Sequence, residues 1–450
     1  VTAPQETAPL LDPATYETGP PLAELARLRA AGPVAWVDEP AGPGCWLVLR
    51  HAEVERVLKD PATFSSWLGA TQVQDAGDLP WVRRMMLNMD PPDHSRLRRL
   101  LTRSFTPRAV AALTASIEAT AAALVDRMVD GAGDGMVAGA SEGMVAGASE
   151  GRCDFAKDVA ADLPLVTLAD VLGVPAEDRR LMFDWSNRVI GWQDPDYASS
   201  AAFDASTGTA MARQAVSLRP VPDADGRLPD PRTRAGMPDL YAYARLLAEE
   251  KRRAPGRDVM SILLAQTDGD DPPVSDAEFE NMFWLFAVAG NETLRNGLPG
   301  GLIALLSHPE AMAQLRADPG LLPGAVEEML RWWTPVMVFR RTATRDVTIG
   351  DTRVRAGDKV VVSFTSANRD ERVFAEPERF DVRRAPNPQL SFGHGPHFCL
   401  GAQLARVQMR ALFAELLRRT SVLELDAPPA LLRSSFQRGV KRLPIRWVAA

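Results

Sequence analysis

Apolar positions recur every three to four residues along most of the chain, so the pattern is mainly helical. "PLAELARLRAAG" predicts a short amphipathic helix closed by Gly32, and "HAEVERVLKD" a helix that stops before Pro61. Between them "GCWLVLR" reads as a strand. Helical periodicity covers residues 91–128 and returns in "VAADLPLVTLADVLG", in a segment after Pro195, and in "DLYAYARLLAEEKRR", "AVEEMLRWW" and "LGAQLARVQMRALFAELLRR". Short β patterns appear in "RDVTIGDTRVRAGDKVVVS" and "KRLPIRWV". The most apolar stretch opens at Ser275, which forms a capping box with Glu278. It predicts a helix to about Leu306, roughly 30 residues and on the order of 45 Å long. A helix that long and apolar must cross the centre of the protein. The expected fold is mainly α with small β-sheets, as a single large domain over residues 1–450.

Three segments break this pattern. Residues 1–20 form a Pro-rich lead-in. Residues 131–151 hold a tandem duplication, "GMVAGASE" at 135–142 and again at 143–150, too short for a solenoid and expected to be an expanded loop. Residues 216–238 carry five prolines and no periodicity, which suggests a lid or binding loop. Its charges mix both signs and few apolar residues are available to pin it, so easy opening is expected.

Composition narrows the class. A net charge of −7 argues against a nucleic-acid partner. Three well-separated cysteines make no disulfide framework and point to a reducing cytoplasm. The N-terminus shows no signal-peptide pattern, and no stretch nears 18 uninterrupted apolar residues, so no membrane span is expected.

Chemistry concentrates in "FGHGPHFCLG" at 392–401, with one of the three cysteines and two of the five histidines. Gly393 and Gly395 allow unusual backbone angles and close approach to a flat ligand, while Pro396 stiffens the loop. Cys399 stands at the start of a helix, where the dipole favours a thiolate. Such a thiolate can serve as a nucleophile with His394 or His397, as a zinc ligand, or as an axial ligand of haem iron. Zinc lacks a CxxC partner here.

The loop resembles the haem-binding pattern Phe-Gly-x-Gly-x-His/Arg-x-Cys-x-Gly of the cytochrome P-450 superfamily, matched by Phe392, Gly393, Gly395, His397, Cys399 and Gly401. The resemblance implies haem b ligated by Cys399, with Phe392 shielding the sulfur. "EMLR" is similar to that family's K-helix Glu-x-x-Arg pair, Glu328 and Arg331, and "PERF" at 377–380 supplies Arg379 as the expected third member of a structural triad. "AGNET" at 289–293 looks like the I-helix groove. It implies Thr293 beside the dioxygen site and Glu292 as proton relay, with Leu294 where a second Thr is usual. By its own chemistry the Thr293 hydroxyl can bond the Ala289 carbonyl, and Glu292 needs a partner in so apolar a run. "DPPDHSRLRRLL" resembles the C helix. With Arg341 and His397, its His94 and Arg98 would hold the haem propionates.

The family resemblance runs over nearly the whole chain and implies a long central I helix and a lid between the F and G helices. It implies a monooxygenase that inserts one atom of dioxygen into an apolar small molecule. "FDWSNRVIGWQDPDYA" and "AGNETLRN" look like hydroxylases of steroids, branched lipids or terpenoids. A polyketide-tailoring oxidase, a peroxide-using or coupling enzyme of the same fold, and a non-catalytic haem sensor are the alternatives. No flavin or nicotinamide fingerprint is present, so electrons would come from a ferredoxin and its reductase. Pocket candidates are Trp67, Leu68, Met85, Phe286, Ala289, Val336, Met337, Val338 and Phe436.

Overall fold

The computed structural model describes residues 9–39, 42–75, 77–130, 150–199, 203–265 and 272–450. The duplicated octapeptides lie outside them, except for Glu150, which opens a strand. The 32-residue helix Asp276–Ser307 runs through the middle of the protein. Ser275 and Glu278 form both halves of its capping box. It packs against helices Asp162–Leu172, Arg179–Ile190, Pro238–Arg253 and Leu322–Trp333. It also continues through Pro299.

Among the described residues four small sheets accompany this helical body, two of them only two-stranded. A five-stranded sheet has the order 34–37, 45–48, 359–363, 338–343, 64–65; only the pairing of 45–48 with 359–363 is parallel. A second, antiparallel sheet joins Glu150–Asp154, Pro444–Ala449 and Thr420–Leu425. Mainly helical architecture with small sheets is therefore as expected.

Some boundaries differ. The helical run over 91–128 is two helices, Asp93–Thr102 and Pro107–Asp130, because Pro107 has no N–H to continue the first. The segment after Pro195 makes one turn, Pro195–Ala198, and the longer helix Arg179–Ile190 precedes it. That helix buries Asp184, Ser186 and Asn187 beside Leu181, Trp185 and Val189. The lead-in is anchored in part: Leu10 and Tyr16 are buried, and the Tyr16 hydroxyl donates to the Leu10 carbonyl at 2.8 Å.

The 216–238 loop is pinned by apolar contact at its ends, where Val216 packs on the core and Met237 is fully buried in it, and by charge in between. Arg219 donates to Asp184 at 2.7 Å and Arg234 to Glu280 at 2.7 Å, while Arg232 lies 3.7 Å over the Trp192 ring. Only its outer part is free of such anchors: Val221 and Leu228 are 79% and 58% exposed. One described helix, over 107–129, is long and apolar enough by composition to cross a membrane. Here its Ile117, Leu124 and Met128 join the core, and it packs on helix Ala402–Arg419.

Candidate active site

Residues 392–401 form a tight loop entering helix Ala402–Arg419. The Cys399 N–H donates to the Phe392 carbonyl at 2.9 Å, and the Gly393 N–H to Leu390 at 2.8 Å. Gly395 is required twice over. Its φ is 69°, and an added Cβ would stand 2.4 Å from the Leu58 carbonyl oxygen. Cys399 is half-buried and lines a cavity. Burial pushes this thiol above its ordinary pKa, against the pull of the Gly401 N–H, Arg98 and Arg406.

The cavity holds about 250 Å³ and brings Cys399 together with His94, Arg98, Arg341, His397, Phe392, Gly393 and Gly401. These residues come from three separate segments of the chain. His94 is 2% exposed, yet among the described residues neither ring nitrogen has a hydrogen-bond partner. Its ring lies 4.1 Å from that of His397. Burial lowers His94 to about 4, with Arg98 adding to the effect, and holds His397 well below the usual imidazole range, with Arg341 adding. Arg341 is 3% exposed and makes one described hydrogen bond, to the Arg340 carbonyl at 2.8 Å. Burial lowers it to about 10, so it stays a cation at neutral pH. Such a set of buried donors around an apolar chamber suits a ligand with an apolar body and carboxylates at its edge. Haem meets that description, and the cavity-facing thiol would supply it with an iron ligand.

The central helix forms another wall of this cavity through Leu285, Phe286, Ala289, Gly290 and Thr293. An added Cβ at Gly290 would meet Leu168 at 3.0 Å. The Thr293 hydroxyl donates to the Ala289 carbonyl at 2.8 Å, so it rests on the helix turn that faces the chamber. Glu292 is fully buried and does not line the cavity. Its carboxylate accepts from Ser186 at 3.0 Å, from Arg295 at 3.0 Å and from the Tyr197 hydroxyl. None of these three partners was evident from the sequence. Two of them, Ser186 and Tyr197, lie about a hundred residues upstream, and only tertiary packing brings them to the helix.

Glu328 and Arg331 are both fully buried and form a bidentate pair at 2.7 and 2.8 Å. The third member differs from expectation. Arg384 donates to Glu328 at 3.1 and 3.2 Å, whereas the Arg379 side chain is exposed and pairs with Glu376. "PERF" contributes backbone instead: Arg331 donates to the carbonyls of Pro377 at 2.9 Å and Arg379 at 3.1 Å.

Of the pocket candidates, Phe286, Ala289 and Val336 line the cavity. Trp67 and Leu68 do not; they are 37% and 42% exposed, because Ser65 and Arg83 fix their backbone in an outward turn. Met85 is buried outside the chamber, which takes Met86 and Leu87 instead. Met337 and Val338 face a separate small cavity beside Leu10 and Tyr16. Phe436 stands one layer back, 5.9 Å from the ring of Phe339, which does line the chamber.

Comparison with known proteins agrees with this arrangement. The family model described as Cytochrome P450 matches residues 320–447. The steroid C26-monooxygenase of Mycolicibacterium smegmatis is 34% identical, covering 96% of this chain and 91% of that protein. The methyl-branched lipid omega-hydroxylase of Mycobacterium tuberculosis is 35% identical, covering 94% and 90%. Among solved structures, a Mycobacterium marinum cytochrome P450 in complex with pseudoionone superposes with a TM-score of 0.78 at 34% identity, covering 94% of each chain. Kinship of this extent covers the cysteine loop, the central helix and the buried Glu328 cluster alike: the chain belongs to the cytochrome P450 family and is a monooxygenase with a cysteine-ligated haem b.

Proposed function

We propose that Cys399 is the haem iron ligand and that His94, Arg98, Arg341 and His397 hold the propionates. The observation that carries this reading is the convergence of a cavity-facing thiol with the unpartnered His94 ring and the buried Arg341 cation in one chamber. Metal coordination would deprotonate the thiol where burial opposes it. When bound, haem with a thiolate ligand supplies the dioxygen-activating chemistry. Phe286, Leu285, Val336 and Phe339 give the remaining space an apolar lining that excludes water and selects apolar substrates. Thr293 provides a hydroxyl at the chamber wall, and Glu292 a protected carboxylate one residue before it.

The substrate class we favour is a steroid, terpenoid or lipid-like molecule that undergoes hydroxylation. Support comes from the apolar lining and from relatives named as steroid and branched-lipid hydroxylases. Electrons come from an external ferredoxin and its reductase. A titration of the purified holoprotein with steroids, terpenoids, fatty acids and polyketides, read by the Soret shift, tests the substrate class. Saturable low-micromolar shifts confined to the first three groups support it; shifts confined to polyketides would replace it with a tailoring role.

A further inference from the structure

A second cavity lies on the other side of the Glu292 cluster. It holds about 330 Å³ and is polar, lined by Lys157, Asp162, Arg180, Asp196, Lys441 and Arg442 toward solvent and by Tyr197 and Arg295 at its inner end. Those two inner residues are the ones that also bind the Glu292 carboxylate. Ser186, the third donor to Glu292, does not line this cleft. The central helix thus separates two spaces, with Thr293 on the haem side and Tyr197 and Arg295 on the cleft side.

From this placement we infer that the polar cleft is the route by which protons from solvent reach Glu292, and that Tyr197 is the positioning residue that admits them. The inference rests on the haem reading above. In the step, a hydronium ion or protonated buffer in the cleft gives a proton to the Tyr197 oxygen as Tyr197 passes its own proton to Glu292. The carboxylate becomes a carboxylic acid, the tyrosine is neutral before and after, and the donor is left as water or buffer base. Glu292 can then supply the Thr293 side of the helix.

Several features suit Tyr197 to this task. Burial raises its pKa well above the ordinary phenol against the pull of Arg295, with Glu292 adding to the rise, so it remains a donor at working pH. Its turn is fixed by Asp194, which accepts from the Tyr197 N–H at 3.3 Å and from Lys441 at 2.9 Å. Arg295 lies 4.9 Å over its ring, with an unpartnered Nε in the same wall.

Tyr197→Phe and Ser186→Ala each remove one hydroxyl from Glu292, but only the first removes it from the cleft. One readout needs no turnover. The infrared carboxylate band of Glu292, assigned by difference against Glu292→Gln, should shift on transfer to D2O within seconds, ahead of the core amides. Tyr197→Phe should lose this fast shift, and Ser186→Ala should keep it. In turnover, Tyr197→Phe should raise the solvent isotope effect and lower product formed per nicotinamide oxidised by about tenfold, against less than about twofold for Ser186→Ala. Equal effects of the two variants, or a band that shifts only as slowly as the core amides, would overturn the inference. Loss of the haem–carbon monoxide band in the parent protein would instead contradict the haem reading, and the infrared experiment decides the cleft without it.

Discussion

Two buried polar clusters in this protein are built on opposite principles. Around Glu328 both charges of the pair are answered several times over, and among the described residues only the Asn387 Oδ1 beside them is left without a partner. Arg331 donates to Glu328 and to three backbone carbonyls, and Glu328 also accepts from Arg384, Asn387 and the Asp381 N–H. Around Cys399 two buried groups are left largely open: among the described residues the His94 ring nitrogens have no hydrogen-bond partner and Arg341 has one carbonyl, while His397 reaches the Ser66 hydroxyl at 3.4 Å. A saturated network stabilises the chain by itself, whereas buried donors without acceptors cost about 1–3 kcal/mol each and are retained for a ligand. The difference separates scaffold from site without reference to any relative.

This contrast can be broken at graded points. Glu328→Gln should have the largest effect, about 3–5 kcal/mol of stability, because it strands the buried Arg331 cation. Denaturant unfolding measures it, and a loss below 1 kcal/mol would mean that the cluster is not the scaffold. Arg384→Ala should cost about 1–3 kcal/mol by removing a charged donor, while Arg379→Ala leaves the midpoint unchanged. The reverse order would restore Arg379 as the third member.

At the open cluster the sign changes. Arg341→Met should leave the cofactor-free protein as stable as the parent, or more so, yet weaken haem retention about tenfold, as judged by transfer to apomyoglobin. A destabilised cofactor-free variant that still holds haem would assign Arg341 to the scaffold. Thr293→Ala should retain haem and fold while diverting reducing equivalents to peroxide, measured as product per nicotinamide oxidised. Full coupling in that variant would remove Thr293 from the proton path. Trp67→Ala should have the smallest effect, with substrate binding unchanged, since the side chain lies outside the chamber.

How legible these features were follows from their range along the chain. The capping box and the long apolar run marked the central helix, because both signals are local. The cysteine loop was legible because six of its ten residues match a family pattern; their own chemistry left a nucleophile, a zinc ligand and an iron ligand open. Arg384 could not be told from Arg379, because several arginines follow "PERF" and the chain's path decides which side chain turns inward. Tyr197 gave only a weak signal, as one of four tyrosines in a Pro-containing turn. Met85, Met337 and Val338 failed by one or two positions, an error of phase that only the side-chain directions of the folded backbone resolve.

The central claim is that the open cluster around Cys399 is a thiolate-ligated haem site. Its most direct test is the absorption spectrum of the reduced protein under carbon monoxide for the parent and for Cys45→Ala, Cys153→Ala and Cys399→Ala. The account predicts the thiolate-ligated band of the P450 family in the parent and in the first two variants, and its loss in Cys399→Ala alone. An unchanged band in Cys399→Ala would contradict it.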